Sequence, residues 1–166
     1  MVFISHPQAK DDLPVVPVWI NGSAHPTSDE DTLFPVISSV QDKTIHHAVS
    51  ATPAMATLAV ESAAAAFAKW GKTAPSHRRK LLLQAADAVD RKAEEIAASQ
   101  IAETSCPEPF AKFNIMSTTW MREIAAATSQ IRGTVAQTME GEDGLEGAGL
   151  TIVVKEAIGV VLIIPP

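Results

Sequence analysis

The chain has 166 residues, the length of a single domain, and 46% of them are hydrophobic, which is ordinary for a globular protein. Its 13 basic and 19 acidic side chains give a formal net charge of −6, and because phosphate contacts need clustered cations we expect no nucleic-acid partner. A single cysteine excludes an internal disulfide, and no stretch approaches the roughly 20 apolar residues that span a bilayer, so we expect a cytoplasmic protein without a membrane partner.

Short strands and turns are predicted before the first helix. Pro14–Ile20 is rich in β-branched residues and is followed by Asn21-Gly22-Ser23, a strong turn signal. The extended pattern resumes at Leu33–Val40, and after a second turn Thr44–Ala51 can form a third short strand. The N-terminal quarter is therefore expected to be a small strand-and-turn unit.

Three amphipathic helices are predicted next. Thr52 can cap the first, which covers 52–70 and ends at Gly71. The second covers 76–105, where apolar residues at helical spacing form one stripe and most charged residues lie off it. The third covers 107–131 and again has one apolar face.

The C-terminal part is predicted to contain a loop and a pair of strands. Glu140–Gly149 is acidic and glycine-rich, which is typical of a flexible loop. Leu150–Val154 and Ile158–Ile164 are predicted strands, and the β-branched run of the second is expected to be buried. The fold class is therefore α+β, a three-helix bundle flanked by short N-terminal strands and a C-terminal strand pair. The chain is treated as one domain with four segments, 1–51, 52–135, 136–149 and 150–166.

Four segments in the right order resemble the N-terminal part of the NAD(P)-dependent aldehyde dehydrogenase family. They are Trp19-Ile20-Asn21-Gly22, Ala64–Trp70 with Ser76–Leu82, Ile101–Thr104, and Glu156–Ile164. Phe113–Ile115 and Trp120–Ala125 are most similar to salicylaldehyde-type members. The resemblance covers nearly the whole chain and implies the N-terminal part of that fold without a complete Rossmann-like cofactor domain.

The resemblance also implies that the family's redox groups lie outside this sequence. In the family, the strand ending near Ile164 leads into a Pro-Trp-Asn turn whose Asn stabilises the developing oxyanion, and the cofactor lysine, general base and nucleophilic cysteine come later. This sequence stops at Pro166, so we expect neither dehydrogenase activity nor a bound cofactor. Cys106 falls between the second and third predicted helices, where the family has no catalytic residue, and is expected to be a small apolar residue.

The third helix supplies the candidate substrate site. In the family its N-terminal half lines part of the aldehyde entry tunnel, so the resemblance implies that Phe113, Met116 and Trp120 bind a small apolar or aromatic metabolite. Arg122 and Glu123 are polar residues nearby and are candidate catalytic groups. The alternative is that the apolar stripe belongs to the core, as is usual at helical spacing.

Two histidines are further catalytic candidates. His46 and His47 are adjacent, so on a strand their side chains point to opposite faces, and one of them could face a groove. The alternative is that both are ordinary surface or edge-strand residues. The spacing of the five histidines and the cysteine does not fit a metal site, so no metal is expected.

Three functions remain open. We prefer a repurposed, cofactor-independent enzyme of secondary metabolism, of the cyclase, isomerase or dehydratase type, in which positioning of the substrate drives the reaction. The second is an N-terminal fragment of an NAD(P)-dependent aldehyde oxidoreductase, and the third is a non-catalytic subunit that binds a full-length dehydrogenase through Leu150–Val154. Because large apolar faces would be uncovered, we also expect a homodimer or higher oligomer.

Overall fold

The computed structural model describes residues 9–27, 29–138 and 149–164. Within them the fold is α+β, as predicted. The strands are β1 (Ala9–Lys10), β2 (Leu13–Val16), β3 (Val18–Ile20), β4 (Ser23–His25), β5 (Leu33–Ser38), β6 (Lys43–Val49), β7 (Thr134–Thr138) and β8 (Gly149–Val153). The helices are α1 (Pro53–Trp70), α2 (Pro75–Arg91), α3 (Ala93–Thr104), α4 (Glu108–Ile115) and α5 (Ser117–Ala127), with short 3-10 turns at Glu30–Thr32 and Thr128–Gln130. Most of the predicted acidic loop, residues 140–148, lies outside the described residues.

The first predicted strand is divided between two sheets. β2 joins a four-stranded sheet of order β1-β2-β6-β5, in which β2 and β6 are parallel, whereas β3 pairs with β4 in a separate hairpin. Pro17 lies between β2 and β3, and it interrupts the strand because it has no N–H to donate to a ladder. The β3–β4 hairpin turns at Asn21 and Gly22, whose φ angles of 52° and 73° are those required by a tight two-residue turn.

Local sequence signals define the junction between α1 and α2. The Thr52 hydroxyl accepts a hydrogen bond from the Met55 N–H at 3.2 Å, so Thr52 is the N-cap that the sequence predicts. At the other end of α1, Arg78 of α2 donates through Nη2 to the Gly71 carbonyl at 3.0 Å, and its guanidinium lies 6.0 Å from the centre of the Trp70 ring. Arg78 therefore satisfies a carbonyl that the helix end leaves without a partner, and it fixes α2 against α1.

The second and third predicted helices are each divided. The second is interrupted at Lys92, whose φ of −109° and ψ of 14° depart from helical values, and α2 gives way there to α3. The third is interrupted at Met116, between α4 and α5. α2 packs on α5, whereas α3 packs on α4 and on β5. The two halves of each predicted helix therefore contact different elements, and this packing divides the helix although its apolar periodicity is continuous.

The C-terminal strand pairing differs from the prediction. β8 pairs antiparallel with β7, a strand that the sequence did not reveal, rather than with Ile158–Ile164. Within the described range that second segment forms no strand, and its side chains are exposed, with Ile158 at 91% and Leu162 at 84%. The prediction of a buried strand there was wrong, because β-branched residues favour extended backbone but a strand also needs a neighbour to pair with.

The core is made mainly of small side chains. Of the seven buried hydrophobic residues in the described ranges, four are alanines that lie on helices, Ala86, Ala97, Ala111 and Ala125. Small residues let helices approach closely, while the larger apolar side chains of α4 and α5 point outwards. The described structure therefore has a thin core and extensive uncovered apolar surface.

Candidate functional site

The three predicted substrate-binding residues lie on one exposed face of α4 and α5. Phe113, Met116 and Trp120, which we call the aromatic stripe, are 54%, 61% and 61% exposed. The alternative that these residues form the core is therefore wrong for the described structure. The spacing of three and four residues keeps them on one side across the break at Met116.

The two rings of the stripe are arranged edge to face. The centres of the Phe113 and Trp120 rings are 6.4 Å apart and their planes make an angle of 86°, a favoured geometry for an aromatic pair. Phe110 and Ile124 extend the apolar surface at either end, and both are more than half exposed. The arrangement leaves a continuous apolar surface exposed along α4 and α5.

Arg122, a predicted catalytic candidate, is engaged in an ion-pair network between helices. Its Nη2 donates to Asp87 Oδ1 at 2.7 Å and to Asp90 Oδ2 at 2.6 Å, and both carboxylates belong to α2. Arg122, and secondarily the Thr118 hydroxyl, hold the pKa of Asp90 below its usual value, while the hydrogen bonds to Asp90 and Asp87 raise the pKa of Arg122. Arg122 thus faces α2 rather than the aromatic stripe.

Glu123 lies on the side of α5 that carries the stripe. It follows Trp120 by three residues, so the two side chains are neighbours on the helix surface, and Glu123 is exposed. Of the four polar candidates, Glu123 is the one that the helix geometry places beside the predicted substrate surface.

The two histidines are buried within the sheet rather than on a surface or an edge. They are 5% and 7% exposed, and β6, which carries them, lies between β2 and β5. His46 Nε2 is 3.7 Å from Glu103 Oε1 of α3, whereas His47 Nε2 is 3.9 Å from Asp11 Oδ2 in the β1–β2 turn. Those partners lie on different elements, as expected for neighbouring residues of a strand. The structure does not bring either histidine to the aromatic stripe.

The remaining sequence candidates contribute little to a site. Cys106 lies between α3 and α4, where the sequence placed it, and is partly buried. In the described parts of the chain, no three His, Cys, Asp or Glu side chains are grouped so that they could hold a metal ion. No helix among the described residues is long and apolar enough to cross a membrane.

Sequence reasoning missed the acidic partners of Arg122. In the sequence, Asp87 and Asp90 are two of the charged residues that lie off the apolar stripe of the predicted second helix. Their three-residue spacing puts both carboxylates on one face, which is a signal for a shared cation. The cation itself lies 32 and 35 residues away, so no local pattern identifies it.

Sequence comparisons connect the chain to a known group of enzymes. The model of the aldehyde dehydrogenase family matches residues 25–166. A vanillin dehydrogenase from Pseudomonas sp. (strain HR199 / DSM 7063) is 34% identical over 152 residues, which cover 91% of this chain and 30% of that protein. A salicylaldehyde dehydrogenase from Pseudomonas sp. (strain C18) is 29% identical over 150 residues, again 30% of its length. The chain thus spans about a third of the length of these curated relatives.

Solved structures show the same architecture. The salicylaldehyde dehydrogenase from Pseudomonas putida G7, complexed with salicylaldehyde, superposes with a TM-score of 0.70 at 28% identity, covering 77% of this chain and 26% of that one. Lactaldehyde dehydrogenase from Escherichia coli gives a TM-score of 0.71 at 16% identity over 76% of this chain and 27% of its own, which shows the fold alone. The elements described above are thus those of one part of a larger fold.

Proposed function

Because the chain belongs to the aldehyde dehydrogenase family, we propose that it forms the aldehyde-binding part of an oxidoreductase that acts on aromatic aldehydes. The aromatic stripe is one wall of the substrate site in this proposal. The cofactor, the nucleophile and the base of the reaction are supplied by protein outside these 166 residues.

The uncovered aromatic stripe is the observation that carries this proposal. Three large apolar side chains that are more than half exposed would be unfavourable in water unless another surface or a ligand covers them. The edge-to-face pair of Phe113 and Trp120 leaves ring surface open to a third aromatic ring. The names of the relatives, vanillin and salicylaldehyde dehydrogenases, support an aromatic rather than an aliphatic substrate.

An NMR titration of the full chain with benzaldehyde tests the proposal. We expect shifts in the amide signals of α4 and α5, and about tenfold weaker binding by Trp120→Leu because the ring contact is lost. Propanal is the control ligand, since it has the same reactive group without a ring. Trp19→Leu is the matched control variant, because Trp19 is 51% exposed but lies on β3.

Two results would contradict the proposal. One is equal binding of benzaldehyde by the wild-type chain and the Trp120→Leu variant. The other is an equal response of α4 and α5 to propanal, which would mean that the aromatic ring is not recognised.

A cofactor-independent conversion at the same surface stays a prediction. Glu123 supports it, because its carboxylate lies beside Trp120 and is the candidate proton acceptor there. Phenylacetaldehyde has an α C–H that a carboxylate can deprotonate, so exchange of that hydrogen in D2O, lost in Glu123→Gln, would establish that activity. An unchanged aldehyde after long incubation would exclude it for the ligand tested.

A further inference from the structure

A second candidate site lies between the β3–β4 hairpin and α1. A cavity of about 570 Å³ opens there, within the size range of pockets that hold small organic ligands. None of its lining residues belongs to the aromatic stripe, so the two surfaces are separate. One side of the cavity is formed by the β3–β4 hairpin, whose two strands are joined by the tight turn at Asn21 and Gly22.

The lining of this cavity combines apolar walls with a cationic, hydroxyl-bearing edge. Ile20, Leu58 and Ala65 provide apolar surface, and Ser62 and Lys69 of α1 provide a hydroxyl and an ammonium. No carboxylate side chain is among the described residues that line it. The Lys69 ammonium makes neither an ion pair nor a hydrogen bond with another described residue, so its three donors are available.

We propose that this cavity binds a small organic carboxylate with an aromatic or branched apolar body. The carboxylate would accept charge-assisted hydrogen bonds from Lys69 and further bonds from the hydroxyl of Ser62. The apolar body would be buried against Ile20 and Leu58. An organic cation is disfavoured, because the lining carries Lys69 and its described part has no acidic side chain to offset a positive charge.

A titration of the full chain with benzoate, followed by two-dimensional NMR, tests this site. We expect the amide signals of β4 and of the second half of α1 to shift, including those of His25 and Ser62. Lys69→Gln should weaken binding about tenfold, because a charge-assisted hydrogen bond is lost. Lys72→Gln is the matched control, since Lys72 is an exposed lysine near the same helix end that does not line this cavity. Ala65→Phe should abolish binding by filling the space, and circular dichroism checks that each variant is folded.

Three results would overturn the proposal. Benzamide, a neutral molecule of the same shape, binding as tightly as benzoate would show that the charge is not recognised. Equal weakening by Lys69→Gln and Lys72→Gln would mean a non-specific effect of positive charge. Shifts confined to α4 and α5 would place benzoate on the aromatic stripe. The two sites share no residue, so a negative result with benzoate does not change what the benzaldehyde titration says about the aromatic stripe.

Discussion

Arg122, a predicted catalytic candidate, joins α5 to α2 through ion pairs with two carboxylates. The sequence makes it a candidate because it is a polar residue near the predicted substrate-binding residues. In a helix, however, neighbouring residues do not share a face, and Arg122 points to α2, where one nitrogen bonds to both Asp87 and Asp90. The three charged groups therefore join two helices, and of the two candidates on α5 it is Glu123 that lies beside the stripe.

We predict that the Arg122 network stabilises the fold in a pH-dependent way. Because the folded-state pKa of Asp90 is lowered, its contribution is complete above the ordinary aspartate pKa of about 3.9 and is lost as the pH falls through the lowered value. Thermal unfolding should show wild type melting a few degrees above Arg122→Met at pH 6, since exposed ion pairs contribute modestly. The difference should shrink steadily towards pH 2.

A control variant separates this network from ordinary surface charge. Lys112→Met removes an exposed pair with Glu108, which lies within α4 and joins no other helix. We expect its effect on the melting temperature to be smaller than that of Arg122→Met. A gap between wild type and Arg122→Met that persists unchanged to pH 2 would show that packing of the arginine stem, rather than charge, is responsible.

At the scale of elements, several boundaries set by local chemistry were predicted, although the break at Pro17 was missed, whereas boundaries set by packing were not predicted. The Thr52 cap and the Asn21-Gly22 turn depend on residues adjacent in sequence, and both occur where expected. The breaks at Lys92 and Met116 fall inside periodic segments, because each half of the helix packs on a different element. β7 was also missed, although its partner β8 follows directly after residues 139–148, because Thr134–Thr138 lacks a regular alternation of apolar and polar residues.

The packing of α2 on α5 is predicted to depend on small side chains. Ala86 and Ala125 are both fully buried, so a larger side chain at either position must displace its neighbours. We expect Ala86→Leu to reduce the free energy of unfolding by about 1–3 kcal/mol, measured by urea denaturation. Ala88→Leu is the matched control, because Ala88 is exposed on the same helix and should change stability little. Equal stabilities of the two variants would mean that α2 and α5 pack more loosely than described.

The whole molecule exposes far more surface than a compact monomer of its mass. Its solvent-accessible area is 12499 Å², whereas about 7900 Å² is expected for a compact protein of 17.6 kDa. Among the described residues, exposed large apolar side chains are found on β8, on the aromatic stripe and along Ile158–Ile164. The sequence predicted that large apolar faces would be uncovered. It also predicted a buried strand at Ile158–Ile164, where the structure has some of its most exposed apolar side chains.

We predict that this surface drives association of the isolated chain. Size-exclusion chromatography with light scattering should show a mass that rises with concentration, since apolar surface of this extent is rarely stable in a monomer. Leu162→Asp should reduce the mass, because Leu162 is 84% exposed within the apolar segment. Val40→Asp, at a 76% exposed position in the β5–β6 turn, is the control and should leave association unchanged. A folded monomer at every concentration would refute the prediction.

The core of small side chains also affects how the protein responds to temperature. The change in heat capacity on unfolding follows the apolar area that becomes newly hydrated, and an alanine releases little such area. A typical chain of 166 residues would show a change of about 2.0–2.5 kcal/mol/K. The heat-capacity change of the isolated chain should fall below that range, so its free energy of unfolding should vary less steeply with temperature. Cooling would then weaken the fold less than it weakens a protein with a large aromatic and aliphatic core.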